Sequence, residues 1–561
     1  MAGRDSLIWR KLGWLWQNER LFLHVQVVVT PMSERRWLEF TLPPRFSLPE
    51  MAGEGFPFRL RLLQQRPLGL TCYDSFDGRL HEAGFDYAVE DAWSGRASLC
   101  YRSGGERCEA LPLSAVPRFA GDLPQGRWHD RLAKALDVRA LLKRAELRGE
   151  RCEWAVEDDS GERVAGLVRD TLALVLPGES RVRLAPRLRL MPEEAHDKAF
   201  GVLAEWLRTI PDIRGVERSY PGEVRWLTGQ EAVASPARPA MVGEMRADAA
   251  VKQALYGLFE VLRLNEPGVL AETDTEFLHD YRVAVRRTRS VLRQMPGVFP
   301  DRVMERFSRQ FASLAQATGE SRDMDVYLMA LDRLEADFPP SLQGSLGPLR
   351  ELIRAHAVSA HESLNHYLGS SACRRLMARW EAFLAKPCPR RPVAENALRP
   401  VGELASHRIW KLYRRLLKEG AAITEASPAD ALHELRKTAK KLRYMMDQFH
   451  DLYASERMAS LIRSLKSLQS LLGDYQDSDV QIKRLEAFAD ELYQRGAPVS
   501  CLLGIGVLLG RLHDREAHLR GDFEACFARF SRRGQQKKFR RLFLEPIRTD
   551  EGQDTPVTSD G

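Results

Sequence analysis

At 561 residues the chain is too long for one ordinary hydrophobic core, so two or more domains are expected. Its 44% hydrophobic and 29% charged residues exclude a disordered chain. A net charge of +7 is small for this length, so any strong basic field has to come from clustering.

In chain order, residues 1–20 form an N-terminal segment with Trp9, Trp14 and Trp16 beside Arg10 and Lys11. It reads as a packed helix, with contact to a membrane surface as the alternative. Charged residues break its apolar pieces, so no signal peptide is expected, and no run of about 18 uncharged apolar residues predicts a membrane span. Residues 21–232 read as an antiparallel α+β domain. Strand-like runs at Leu21–Thr30, Trp37–Leu42, Phe58–Leu63, Arg151–Val156 and Thr171–Leu176 are separated by turn signals at Asp77-Gly78, Ser160-Gly161 and Pro177-Gly178. A helical segment, Pro192–Thr209, closes this part. Residues 233–244, with Pro, Ala and Ser and no clear period, read as a linker. From 245 to 545 the pattern is helical, with Pro and Gly punctuation, and 546–561 reads as a disordered tail. The eight cysteines include no CxxC pair, which predicts neither a zinc site nor a disulfide framework and fits a reducing cytoplasm.

The helical region holds a repeat. Around His279, the residues Arg282, Arg286, Arg289 and Arg293 follow i+3, i+7, i+10 and i+14, one stripe of a helix. Leu278, Tyr281, Val285 and Leu292 form an apolar face about 100° around the wheel. The stripe therefore flanks the core face instead of opposing it, and points into a groove between helices. His433, Arg436, Lys440 and Arg443 repeat the spacing, with Leu435, Ala439, Leu442 and Met446 as the core face. The two histidines are 154 positions apart. Gly319, Asp323 and Asp325 match Gly473, Asp477 and Asp479 at the same offset, as Arg309 matches Arg463. This predicts a tandem duplication, repeat 1 over about 245–385 and repeat 2 over about 398–545. A third stripe is Arg408, Lys411, Arg415 and Lys418, which the matching first-repeat segment lacks. Arg374/Arg375 and Lys537-Lys538-Phe539-Arg540-Arg541 are further basic clusters.

Like charges one turn apart cost a few tenths of a kcal/mol per pair, so something must offset these rows. A row of cations spaced about 5.4 Å apart suits a chain of phosphates, which Arg grips bidentately and Lys meets as a point charge. The alternative is internal ion pairing with Asp323, Asp325, Asp477 and Asp479, four acids for three stripes. No acid or cysteine stands at ligand spacing from His279 or His433, so no metal site is predicted. The Gly–Asp motifs read as supporting structure, Gly ending one helix and Asp capping the next, with Arg309 and Arg463 beside them.

HDYRVAVRRTRSVL with TGESRDMDV, and HELRKTAKKLRYMMDQF with LGDYQDSDV, resemble the CHAD family, the conserved-histidine α-helical domain, over about 245–545. The resemblance implies two four-helix bundles about a pseudo-twofold axis, with a basic groove between them that binds inorganic polyphosphate without catalysis. It assigns His279, Arg282, Arg286, Arg289, His433, Arg436, Lys440 and Arg443 to the ligand, with Arg408, Lys411 and Arg415 nearby. Gln476 stands where the first repeat has Arg322, a departure that sets the halves apart. TCYDSFDGRLHEAGF and VEDDSGERVAG in turn resemble the CYTH triphosphatase-like tunnel domain. Its ExExK opening strand is absent: LHVQVVV offers His24, Gln26 and Val28, and the later strand stretch RLRL is basic without paired acids. The resemblance implies a degenerate CYTH-like scaffold without triphosphatase chemistry.

The expected function is therefore non-catalytic binding of inorganic polyphosphate by a cytoplasmic protein, at polyphosphate granules, with no cofactor. The rivals are a divergent CYTH-type triphosphatase using a divalent metal, and a general polyanion or nucleic-acid binder. Against the latter, Tyr281, Tyr413 and Tyr444 read as core rather than as base-stacking platforms.

Overall fold

The computed structural model describes residues 37–44, 46, 56–92, 95–102, 107–229, 241–336 and 338–545. The expected strand at Leu21–Thr30, the tryptophans of the N-terminal segment, His24, Gln26 and Val28, residues 233–240 of the linker and the tail 546–561 lie outside them. The chain forms two compact units that divide between Ser235 and Pro236.

The first unit is an antiparallel sheet curled into a half-barrel. Its strands are β1 (Leu38–Thr41), β2 (Arg59–Asp74), β3 (Phe85–Ala92), β4 (Gly95–Arg102), β5 (Arg107–Leu113), β6 (Leu142–Glu157), β7 (Arg163–Val175), β8 (Arg181–Arg183), β9 (Arg187–Pro192) and β10 (Arg214–Gly215). They are ordered β10-β1-β9-β7-β6-β2-β3-β4-β5, with β8 on β7. Several strands outrun their expected spans: β6 begins nine residues before Arg151, because its polar first half is carried by pairing with β2. The helices are α1 (Arg79–Glu82), α2 (His129–Leu136), α3 (Asp197–Thr209) and α4 (Tyr220–Thr228). The expected helix from Pro192 starts only at Asp197, since Arg187–Pro192 is strand β9 paired to β1 and β7. Gly78, Gly161 and Gly178, at the three turn signals, have φ of 75°, 85° and 83° and so take the left-handed conformation that only glycine adopts cheaply. This is the antiparallel α+β arrangement expected for this part of the chain.

The second unit is helical. It comprises α5 (Ala247–Leu270), α6 (Thr275–Gln294), α7 (Asp301–Ala317), α8 (Gly319–Ala336), α9 (Gly347–Leu368), α10 (Ser371–Ala385), α11 (Val401–Ala421), α12 (Ala429–Gln448), α13 (Ser455–Gln494), α14 (Val499–Ser531) and α15 (Arg533–Phe543). Moving α6 by 154 positions gives the bounds of α12, and moving α5 gives the start of α11. The duplication is thus written in the helices themselves. α7 and α8 correspond to the single 40-residue α13. One apolar core takes Met324, Tyr327 and Leu331 from α8, Leu349, Leu352 and Ile353 from α9, Ile482, Leu485 and Phe488 from α13, and Cys501, Ile505 and Leu508 from α14. The two repeats therefore share this core, beside apolar contacts that stay within one repeat, such as Phe307 on Trp380 in the first and Phe539 on Tyr413 in the second. No helix among the described residues is long and apolar enough to cross a membrane.

Candidate functional site

α6 opens on a cap: the Asp274 carboxylate accepts from the amides of Glu276 and Phe277. Leu278, Tyr281, Val285 and Leu292 are buried as the apolar face. Along the flanking stripe Arg282 is buried, Arg289 half-buried, and His279, Arg286 and Arg293 exposed. Arg282 reaches the C-terminus of α7, where its Nη1 donates to Thr318 Oγ1 at 3.0 Å and to the Ala315 carbonyl at 3.4 Å. It thereby serves a helix end whose carbonyls lack partners.

On α12, Leu435, Ala439, Leu442 and Met446 are buried, and the stripe again lies to one side. Arg436 donates to Asp477 Oδ1 on α13 at 2.8 Å. The Nε of Arg443 donates to both oxygens of Asp447, at 2.8 and 2.9 Å. Asp447 also stands 3.9 Å from Arg287 of α6, which ties the two striped helices together. From α11, Arg408 Nε and Nη2 donate to Gln294 Oε1 at 2.9 and 2.7 Å, bringing the third stripe to the end of α6. Lys411 is exposed, and Arg415 pairs along its own helix with Glu419 at 2.5 Å.

The histidines differ. His433 Nδ1 meets the amide oxygen of Gln476, whereas His279 has the cation Arg322 for a neighbour. Partial burial, and then Arg322, hold His279 below the ordinary histidine value. Arg322 itself donates to the Thr275 carbonyl at 3.0 Å.

Among the described residues no carboxylate lies within 4.0 Å of Arg282, Arg286, Arg289, Arg293, Arg408, Lys411 or Lys440. The consequence is a lowered proton affinity at several of these cations. Burial, then Arg436 and Arg286, bring Lys440 down to about 8. Burial and Arg286 bring Arg282 down to about 10. Arg289 and Arg408 are lowered by burial and then by neighbouring arginines. Buried guanidinium nitrogens without a hydrogen-bond partner remain at Arg289 Nε and Arg436 Nε. Such a surface is short of negative charge and of acceptors.

The four acids do not supply it. Asp477 serves Arg436, and Asp479 pairs with Lys483 at 2.8 Å, outside the stripes. Asp323 is exposed at its surface side on α8 and makes no ion pair within 4.0 Å among the described residues; partial loss of solvent around its carboxylate holds it above the usual carboxylate range. Asp325 is buried with Oδ2 unpartnered, and burial raises it to about 6 against the pull of His361 and Arg322. The expectation that Gly ends a helix and Asp caps the next needs correction. Gly319 follows a break at Thr318, but Gly473 sits inside continuous α13, and all four aspartates are helix-interior. The cause is one position earlier: Thr318 turns its hydroxyl to Ala315 and Arg282, while its counterpart Leu472 is buried apolar core. Arg309 and Arg463 are exposed and have no side-chain bond within reach of the stripes.

In the first unit the inner face of the sheet carries a charged row. Arg151 Nε and Nη2 donate to Asp170 at 2.6 and 2.9 Å, and the same guanidinium holds both oxygens of Glu90. Arg189 donates to Asp170 Oδ2 at 2.9 Å. Arg187 donates to Glu223 of α4 at 2.6 Å and lies 3.7 Å over the Tyr220 ring. The basic stretch Arg187-Leu188-Arg189-Leu190 is therefore paired with acids after all. The partners come from β7 and α4, far away in sequence, which is why the stretch read as unpaired. Glu39, Glu90, Arg151, Asp170, Arg189 and Tyr220 line one small cavity. The divalent metal that the CYTH resemblance implies does not fit these carboxylates: Glu90 and Asp170 spend both oxygens on arginines, and among the described residues no three His, Cys, Asp or Glu side chains are grouped so that they could hold a metal ion.

Sequence reading missed Gln294, Thr318, Asp447 and Arg287, which place the stripes. Only Asp447 had a local signal, one turn beyond Arg443.

The model of the CHAD domain matches residues 253–486. Among solved structures, the CHAD domain from the plant Ricinus communis is 24% identical, covers 53% of this chain and 96% of its own, and has a TM-score of 0.44. PptA from Streptomyces chartreusis is 16% identical, with 50% and 99% covered and a TM-score of 0.40. A putative adenylyl cyclase from Hippeastrum, described as having a dominant triphosphatase activity, is 13% identical, with 31% and 86% covered and a TM-score of 0.21. No curated protein matches the chain. The matched segment contains both striped helices, both histidines and both Gly–Asp motifs, and the chain carries a CHAD domain over residues 253–486.

Proposed function

We propose that the protein binds inorganic polyphosphate, without transforming it, on the basic surface built by α6, α12 and the start of α11. The observation that carries this reading is the set of neighbouring cations with no carboxylate within 4.0 Å, several of them pulled down by burial and by one another. A linear polyanion reverses every one of those penalties at once, which a small anion does not. Arg282, Arg286, Arg289, Arg293, Arg408, Lys411 and Lys440 supply the unneutralised charge. Arg436, Arg443 and Arg415 contribute after sharing with their acids, and His279 and His433 donate from the stripe ends. Of the four aspartates, Asp477 ties α13 to α12 through Arg436, while Asp323, Asp325 and Asp479 make no ion pair to another helix among the described residues. The site serves a cytoplasmic protein associated with polyphosphate granules.

The test is binding of labelled long-chain polyphosphate to the intact chain and to a variant with Arg282, Arg286, Arg436 and Lys440 all changed to Ala, with single-stranded RNA as competitor. Tight binding that resists RNA, weakens steeply with salt and collapses in the folded variant supports the reading. Absence of binding by the intact chain overturns it. Equal affinity per charge for RNA replaces it with general polyanion binding. Phosphate release from tripolyphosphate with magnesium would overturn the non-catalytic part.

A further inference from the structure

The last helix, α15, is held by one apolar edge. Phe539 stacks on Tyr413 of α11 with centroids 3.7 Å apart and planes 5° from parallel, and Phe543 meets Tyr453 edge-on at 5.0 Å. The rest of its surface carries Arg533, Lys537, Lys538, Arg540 and Arg541, all exposed. The helix contains no acid, and no described carboxylate lies within 4.0 Å of these cations. Like charges recur at i+3 and i+4 throughout, and Arg533 sits at the N-terminus, where a cation opposes the helix dipole. No described carboxylate offsets either cost.

The route from the groove to α15 is also basic. Tyr413, which seats α15, looks away from the stripe of Arg408, Lys411, Arg415 and Lys418. Arg414 is exposed and lies about 100° from Tyr413 on the helical wheel, between the two. The solvent face of α11 thus joins the groove to α15 through cations, with Glu419 engaged by Arg415. The matching helix α5 offers Lys252, bonded to the Lys386 carbonyl, and Arg263, near Glu260 and Glu381. The extension therefore belongs to the second repeat.

We propose that a polyphosphate chain leaving the groove continues over the outer face of α11 onto α15, where Lys537, Lys538, Arg540 and Arg541 form a second, length-dependent binding surface. This rests on the polyphosphate reading of the groove. A nucleic acid would want exposed rings to stack on, and Phe539 and Phe543 are buried. A membrane surface would want the apolar edge of the helix, which Tyr413 and Tyr453 occupy.

The experiment uses the full chain, a variant with Lys537, Lys538, Arg540 and Arg541 changed to Ala, and the groove variant described above, each checked for native helicity and melting. Each is titrated with a short polyphosphate that spans the groove alone and with one several times longer. The α15 variant should bind the short chain as the intact protein does. It should lose at least about tenfold in affinity for the long one, because tethered binding surfaces raise avidity. Its log–log salt slope for the long chain should fall by about 2–3, at roughly 0.7 for each phosphate left without its cation. The groove variant should lose both ligands. Unchanged long-chain affinity in a folded α15 variant overturns the extension and leaves the groove reading intact. Equal loss for short and long chains also overturns it, because the helix would then be part of the groove itself. No binding of either chain by the intact protein overturns both.

Discussion

Arg289 and Arg443 occupy the same place in the duplicated unit, yet Arg443 holds Asp447 while no described carboxylate lies within 4.0 Å of Arg289. The difference comes from one substitution between repeats: the position of Asp447 in the second is Arg293 in the first. Arg289→Ala should therefore lower polyphosphate affinity by on the order of tenfold, about 1.4 kcal/mol, at fixed salt. Arg443→Ala should lower it by less than about threefold, since its charge is already shared. Isothermal titration of the two variants side by side decides this, and equal losses would remove the proposed asymmetry. Lys440 makes a second residue-scale case. Its folded pKa, about 8, lies below the ordinary 10.5, so between those values the unfolded chain binds more protons than the folded one. The penalty on stability is full below pH 8 and is relieved as pH rises through that window. Lys440→Met should then raise stability near pH 7 by on the order of 1 kcal/mol, after allowance for solvent screening, and make stability flatter from pH 8 to 10. The same variant should bind polyphosphate more weakly. Urea unfolding across pH, paired with a binding titration, tests both. A variant that is less stable and binds normally would mark Lys440 as structural.

At the level of elements, periodicity was enough to find α6, α12 and their buried faces, because an amphipathic helix writes its partner's position into every third or fourth residue. The stripes were legible for the same reason. Their neutralisation was not: Thr318, Gln294 and Asp170 act on residues 19 to 114 positions away, and no local pattern encodes such pairings. Gly473 shows the other failure, a local signal overruled by its surroundings. Glycine after a leucine pair reads as a helix end, but the buried leucines on either side keep α13 running for 40 residues. Its φ is not positive, and a Cβ there would meet nothing within 4 Å. Gly473→Ala should therefore stabilise the protein by about 0.5–1 kcal/mol, the ordinary gain at an open helix interior. Gly268→Ala, also helix-interior, should instead cost about 1–3 kcal/mol, because its Cβ would fall 2.2 Å from the ring of buried Phe277. Melting temperatures of the two variants give the comparison. A destabilised Gly473→Ala would restore the helix-ending role read from the sequence.

For the helical unit as a whole, duplication in sequence does not mean two independent bodies. The core that joins α8 and α9 of repeat 1 to α13 and α14 of repeat 2 leaves each half with one side of its apolar packing in the other. Polar ties run the same way: Arg408 to Gln294, Arg287 to Asp447, Arg484 to Glu320 at 3.3 Å, and His356 to Glu491 at 3.1 Å. Arg408 to Gln294 and Arg287 to Asp447 join the striped helices across the repeats, so the geometry that brings three basic stripes together exists only when both repeats are folded. Gathering that much like charge costs stability, and the shared core is what offsets it. A fragment ending near residue 390 should then fail to fold cooperatively as a monomer: it keeps Met324, Tyr327, Leu349 and Ile353 but lacks Ile482, Leu485, Phe488, Cys501 and Leu508. The expected behaviour is helical circular dichroism with a broad, non-cooperative melt or self-association, and no polyphosphate binding. A segment from about 241 to 545 should melt in one sharp transition and bind as the full chain does. If the first half alone melted cooperatively as a monomer, the repeats would be separate bundles and the shared core incidental. Recovery of binding on mixing the two halves would show that the site is assembled across them.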